Sequence, residues 1–178
     1  MTLDMHIREA RPQDVPAIAK VHVDSWRTTY RGMVASEFLA SLSYEESERM
    51  WLNGLSSSPN PVSLFVAETP DGGVVGFAAA GREREGEAVF QGEIYALYLL
   101  HNYQRQGIGR ALFRACARDL ERRGFTPFLL WVLKANPACH FYQALDGKLV
   151  REKEIQIGAE RLIELAYGWA DTGTIPEA

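Results

Sequence analysis

The chain has 178 residues, of which 47% are apolar and 24% charged, enough for the core of one compact domain. Its formal net charge of −4 argues against nucleic acid or an anionic membrane as the main partner. No apolar run approaches the ~20 residues of a membrane span, and Met1–His6 lacks the basic start and apolar centre of a signal peptide, so a cytoplasmic protein is expected.

His6–Glu9 is short enough for a first strand. Asp14 stands where an N-cap belongs, and Val15, Ile18, Ala19, His22 and Trp26 recur at helical steps to about Tyr30, with Gly32 as the stop. Ser36–Leu42 reads as a short helix. Ser43-x-x-Glu46 is a capping box that opens a longer one, with Met50, Trp51 and Leu55 on its inner side. After the loop Ser56–Pro61 the period changes from 3.6 to 2. Val62–Glu68 and Val74–Ala80 read as strands joined by an Asp-Gly turn, and Arg82–Glu87 as a solvated hairpin tip. Gln91–Leu100 is the next strand. A helix over 107–123 follows, closed by Gly124 with Phe125 packing back. Phe128–Leu133 carries no polar residue, as expected of a strand buried on both faces. Strand, helix and strand make one βαβ crossover. Pro137–Leu145 is a short helix, Glu152–Ile157 and Arg161–Trp169 a closing hairpin, and Asp171–Ala178 a frayed tail. The order predicts an α+β fold in one domain over 1–178: a mixed, mostly antiparallel central sheet with a single βαβ crossover. Cys116 and Cys139 fall in helical patterns, and His6, His22, His101 and His140 show no ligand spacing with them, so no metal is expected.

The most informative stretch is Gln104-Arg105-Gln106-Gly107-Ile108-Gly109, between the apolar run Ile94–Leu100 and the helix that begins near Arg110. N–H groups at a helix start lack internal partners, and the helix dipole adds positive charge there. Glycines at 107 and 109 remove the Cβ atoms that would keep a phosphate away. No Lys-Ser/Thr pair follows Gly109, and Leu112 stands where a third glycine would belong, so the loop is neither a nucleoside-triphosphatase loop nor a dinucleotide fingerprint. Its spacing is Q/R-x-x-G-x-G/A. In that respect it resembles the acetyl-CoA pyrophosphate loop of the GCN5-related N-acetyltransferases (GNAT).

A second match lies about 30 residues on. Asn136-Pro137-Ala138-Cys139-His140-Phe141-Tyr142-Gln143-Ala144-Leu145-Asp146-Gly147 is similar to the family motif N-x-x-A-x-x-F-Y-x-x-x-G-F, with one residue fewer between Asn136 and Tyr142 and with Asp146-Gly147-Lys148 in place of Leu-Gly-Phe. The resemblance implies an acetyl-CoA-dependent N-acetyltransferase acting by direct attack of a primary amine, from a small molecule or a peptide, in a ternary complex. It also implies a set of roles. Gln104, Arg105, Gln106, Gly107, Ile108 and Gly109 would hold the pyrophosphate, with help from Arg110 in the first helical turn and from Asn136. The backbone of Leu97, Tyr98 and Leu99 would bind the pantetheine arm and the thioester oxygen. Tyr142 would protonate the departing sulfur, with core packing as its other reading.

Glu93, four residues before Leu97, alternates onto one face with Tyr95, Leu97 and Leu99. It is a candidate base for the amine, or an exposed residue at the strand start. Trp26, Tyr30 and Tyr95 are candidate walls of the acceptor pocket, with core packing as the alternative for the first two; Asp24, His22, Ser25 and Met33 lie nearby. The stripe Arg110, Arg114, Arg118, Arg122 reads as solvated helix surface. A homodimer is left open. The competing class is an acetyl-CoA-binding sensor or partner-binding module that keeps the loop without turnover.

Overall fold

The structure, a computed structural model, describes residues 5–59 and 61–176. Seven strands form one sheet in the order β1-β2-β3-β4-β5-β7-β6: β1 His6–Glu9, β2 Ser63–Glu68, β3 Val74–Arg82, β4 Gly92–Leu99, β5 Phe128–Leu133, β6 Lys148–Ile157 and β7 Glu160–Trp169. Among these strands only β4 and β5 pair in parallel, around the helix α4, Ile108–Arg122. The other helices are α1 Val15–Thr29, α2 Ser36–Ser41, α3 Tyr44–Ser56 and α5 Ala138–Ala144.

Strand alternation sorts the core into two layers. Phe65, Ala67, Ala78 and Ala80 face α4 and meet Leu112, Phe113, Cys116 and Leu120. Leu64, Val66, Phe77 and Ala79 point the other way, against Val15, Ile18 and Val21 of α1 and Trp51 of α3. A third cluster of Tyr30, Val34, Leu39 and Leu133 closes the far end of that second layer. The sheet is thus covered by α1–α3 on one side and by α4 on the other.

Local signals fared unevenly. Ser43 caps α3, its hydroxyl accepting the Glu46 N–H at 3.3 Å. At the end of α4, Gly124 takes φ +74° and the Phe125 N–H returns to the Leu120 carbonyl at 2.8 Å. Asp14, by contrast, does not cap α1 with its side chain. Its carboxylate accepts the Arg11 N–H and both terminal nitrogens of Arg8, because a partly buried arginine needs a charge partner more than the helix needs a cap. Met50 is exposed; the inner stripe of α3 is Ser47, Trp51 and Leu55, at four-residue steps. Helix α1 stops at Thr29, and Gly32 serves the following turn at φ +79°. Residues 171–176 are not frayed: Asp171 caps a short 3-10 turn over Thr172–Thr174, and Ile175 is buried in the main core. Residues 177 and 178 of that tail lie outside the described residues.

Candidate active site

The loop from β4 to α4 begins with a 3-10 turn over His101–Tyr103. Arg105 (φ +63°) and Gly107 (φ +83°) both take left-handed conformations, and Gly107 is the N-cap residue of α4. Glycine does this at no steric cost, whereas other residues do so rarely. Gly107 has no side chain with which to cap the helix. Among the described residues the main-chain N–H groups of Arg105 through Arg110 have no hydrogen-bond partner. Six free donors at the positive end of a fifteen-residue helix are the arrangement that anion binding requires. A Cβ at Gly109 would sit 3.6 Å from Phe141 Cζ, an ordinary contact, so the protein's own packing does not require glycine there. Arg110 keeps a buried guanidinium nitrogen without a partner among the described residues.

Two motif residues face inward instead. Gln104 Nε2 donates to the Leu99 carbonyl at 3.1 Å, tying the loop to the end of β4. Asn136 Oδ1 accepts the Ala138 N–H at 2.9 Å at the entry to α5. The rest of the basic stripe is partly tied down: Arg122 pairs with Asp119 at 2.5 Å, and Arg114 donates to the Pro176 carbonyl.

Beside this loop the sheet opens. β4 pairs with β3 along its length but meets β5 only at Gly92↔Phe128 and Glu93↔Leu129. Beyond that point the β5-facing edge of β4, through Leu97, Tyr98 and Leu99, has no strand partner among the described residues. Tyr95 causes a second departure. Ala80 pairs with Ile94 and Ala79 with Ala96, so Tyr95 is the extra residue of a β-bulge. The bulge breaks the simple alternation expected from the sequence. Glu93 and Tyr95 stay together on the α1 side with Tyr98, while Leu97 and Leu99 turn to the α4 side.

On the α1 side lies a cavity of about 270 Å³. Trp26, Tyr30, Tyr95 and Glu93, all expected from the sequence, line it. Tyr98 joins them, its hydroxyl accepting the Trp26 indole N–H at 2.9 Å. Trp26 and Tyr30, with ring centroids 4.5 Å apart, also pack against the third core cluster, so the two readings hold together. Asp24 does not reach the cavity; it pairs with Lys20 at 2.5 Å and Tyr44 at 2.6 Å. His22 is packed among Trp26, Trp51 and Phe77, where burial lowers its pKa to about 4.

Glu93 is 2% exposed, which removes the exposed-start reading. Arg84 grips it: Nη2 to Oε1 at 2.5 Å, Nε to Oε2 at 3.1 Å, with the guanidinium 4.2 Å over the Tyr95 ring. The 82–87 segment is therefore more than a solvated tip, since a buried carboxylate recruits its arginine. The cavity wall also includes Glu85, Trp131, Lys153 and Glu164. Lys153 lies 3.9 Å over the Trp131 ring, bonds Glu85, and is 3.9 Å from Glu164. Three carboxylates against two cations favour a cationic guest. Of these additions only Glu164 left a trace in the sequence, as a carboxylate between Leu162 and Ala166 on one strand face.

On Tyr142, burial raises the hydroxyl pKa well above the ordinary range. The ring packs against Phe141, Phe113 and Trp169, and the hydroxyl has no hydrogen-bond partner among the described residues.

Residues 20–146 match the Acetyltransferase (GNAT) family. The chain belongs to that family. It is 42% identical, over 95% of both chains, to "Uncharacterized N-acetyltransferase YuaI" of Bacillus subtilis (strain 168). It is 23% identical, over 93% of this chain and 99% of the other, to the spermidine N(1)-acetyltransferase of Thermoplasma acidophilum. The fold also matches the PaiA N-acetyltransferase of T. acidophilum, solved in complex with coenzyme A, at a TM-score of 0.68 and 20% identity over 91% of this chain and 98% of that one. The protein is thus an acetyl-CoA-dependent N-acetyltransferase, and its chemistry fits that co-substrate: free N–H groups and the unpartnered Arg110 for the pyrophosphate, an open β4 edge for the arm. No helix among the described residues is long and apolar enough to cross a membrane, and none of their His, Cys, Asp and Glu side chains cluster as a metal site.

Proposed function

We propose that the acetyltransferase moves the acetyl group of acetyl-CoA directly to the primary amine of a small molecule or peptide, in a ternary complex, with the chain acting as one catalytic domain. The observation that carries this reading is the cavity itself, an aromatic and carboxylate-lined space beside the open edge of β4. When bound, acetyl-CoA supplies an acyl group activated as a thioester. The free N–H groups from Arg105 to Arg110 hold its pyrophosphate, and the backbone of Leu97–Leu99 holds the arm and the thioester oxygen. Tyr142 keeps its proton at working pH and gives it to the sulfur. Aromatic faces and carboxylates draw in an ammonium-bearing acceptor. The spermidine enzyme among the relatives is consistent with an acceptor of this chemistry.

The cysteines support direct transfer. Cys116 is fully buried, Cys139 is buried and aims its Sγ at the Leu133 carbonyl 3.5 Å away, and burial raises both thiol pKa values. Neither is a nucleophile in waiting. Free thiols also fit a reducing, cytoplasmic site of action. Initial rates against both substrates should therefore give intersecting lines, and protein incubated with acetyl-CoA alone should gain no acetyl mass. Parallel lines with a stable adduct would replace this reading by a covalent one.

A further inference from the structure

Glu93 is poorly placed to take a proton. Both its oxygens are engaged by Arg84, and it sits at the closed end of the split, opposite Leu129. Glu164 of β7 has a different setting. It pairs across the sheet with Leu133, four residues further along β5 than Leu129, or roughly 13 Å at strand rise. That brings it level with the stretch beginning at Leu97, where β4 and β5 have parted. Tyr30 feels its charge and is in turn a neighbour of Asn136 and Tyr142, so this end of the cavity faces the α5 motif.

Resting on the acetyl-transfer reading, we propose that Glu164 is the catalytic base that takes the amine proton, while Arg84-bound Glu93 only attracts the ammonium. The groups facing Glu164 are Lys153 of β6 at 3.9 Å, Glu85 and Arg84 of the β3–β4 loop, Glu93 of β4 and Tyr30 after α1. The Glu164 side chain makes no hydrogen bond among the described residues, and Lys153 is shared with Glu85, so its carboxylate oxygens are free to accept. Burial, chiefly, raises its carboxyl pKa, with Glu85 and Glu93 adding to the effect and Lys153 and Arg84 opposing it. A carboxylate whose pKa is raised holds a transferred proton better than one at the ordinary value.

The proton balance closes. The bound R–NH3+ gives one proton to Glu164, and the freed lone pair forms the C–N bond as the C–S bond breaks with its electron pair on sulfur. Tyr142 protonates that sulfur and is repaid by a second proton from the nitrogen, leaving the neutral amide. Glu164 returns its own proton to solvent.

The test compares pH–rate profiles of wild type, Glu164→Gln and Glu93→Gln, with CoA affinity and thermal unfolding as controls. Glu164→Gln should lower kcat/KM by about 10²–10⁴-fold at neutral pH, and the gap should narrow as the pH nears the acceptor's own pKa. Glu93→Gln should raise KM with kcat within about threefold. A Glu164→Gln variant within about threefold of wild type, with an unchanged profile, overturns the proposal. Carbon-13 spectra of glutamate-labelled protein read the group without turnover. The carboxyl resonance missing from Glu164→Gln should titrate above the ordinary glutamate range, and a midpoint at or below that range removes Glu164 from the role. A wild type that turns over no amine counts against acetyl transfer itself, and the carbon-13 arm still decides on Glu164.

Discussion

Gly109→Glu should abolish CoA binding in a protein that remains folded. The new Cβ meets Phe141 Cζ at 3.6 Å and Leu97 Cδ2 at 3.9 Å, so it enters without a clash. A carboxylate in the first turn of α4 also suits the helix dipole, which keeps stability level or raises it. The same charge competes with the pyrophosphate for the free N–H groups of the Arg105–Arg110 loop. Each charge-assisted hydrogen bond lost is worth about 1.5–3 kcal/mol, so losing two lowers affinity by at least about 100-fold. Calorimetric titration with CoA measures this, with Gly109→Ala as the control that preserves the motif. Unchanged affinity in well-folded Gly109→Glu would take the pyrophosphate away from this loop.

Tyr142→Phe should separate chemistry from packing. The ring is fixed by Phe113, Phe141, Tyr167 and Trp169, contacts that phenylalanine reproduces. The hydroxyl finds no partner among the described residues, so deleting it sacrifices no internal hydrogen bond, and the melting temperature should hold or rise. Turnover should nonetheless fall by about 10²–10⁴-fold, since the proton for the sulfur is gone. CoA affinity should change little. A loss below about threefold with the best acceptor would return Tyr142 to a core role.

The parts of the site legible in the sequence are those whose chemistry is local. The anion loop could be read because the turn residues and the helix start are contiguous, and Gly107 has the positive φ that its residue type advertises. The βαβ unit followed from periodicity and an all-apolar β5. The bulge at Tyr95 could not be read, because alternation assumes one residue per pleat and nothing in Gly92–Leu99 marks the extra one. It changed which residues share a face with Glu93. Arg84 falls in a segment that reads as a solvated tip and nothing in the sequence singles out Lys153, since their carboxylate partners come from other segments or strands: Glu93 for one, Glu85 and Glu164 for the other. Glu164 is 71 residues from Glu93, a separation that only the sheet order β4-β5-β7 converts into a shared cavity. Asp14 is a smaller case of the same kind, a local cap signal overridden by Arg8 from the neighbouring strand.

The most direct measurement is a panel of amines, including polyamines, amino acids and peptide N-termini, each incubated with the protein and acetyl-CoA. Thiol release is followed alongside the mass of the acetylated amine. At least one ammonium-bearing acceptor should give stoichiometric thiol and amide, with a rate that saturates in both substrates. Tight CoA binding with no amide from any amine would contradict the account and make the protein a sensor of acetyl-CoA.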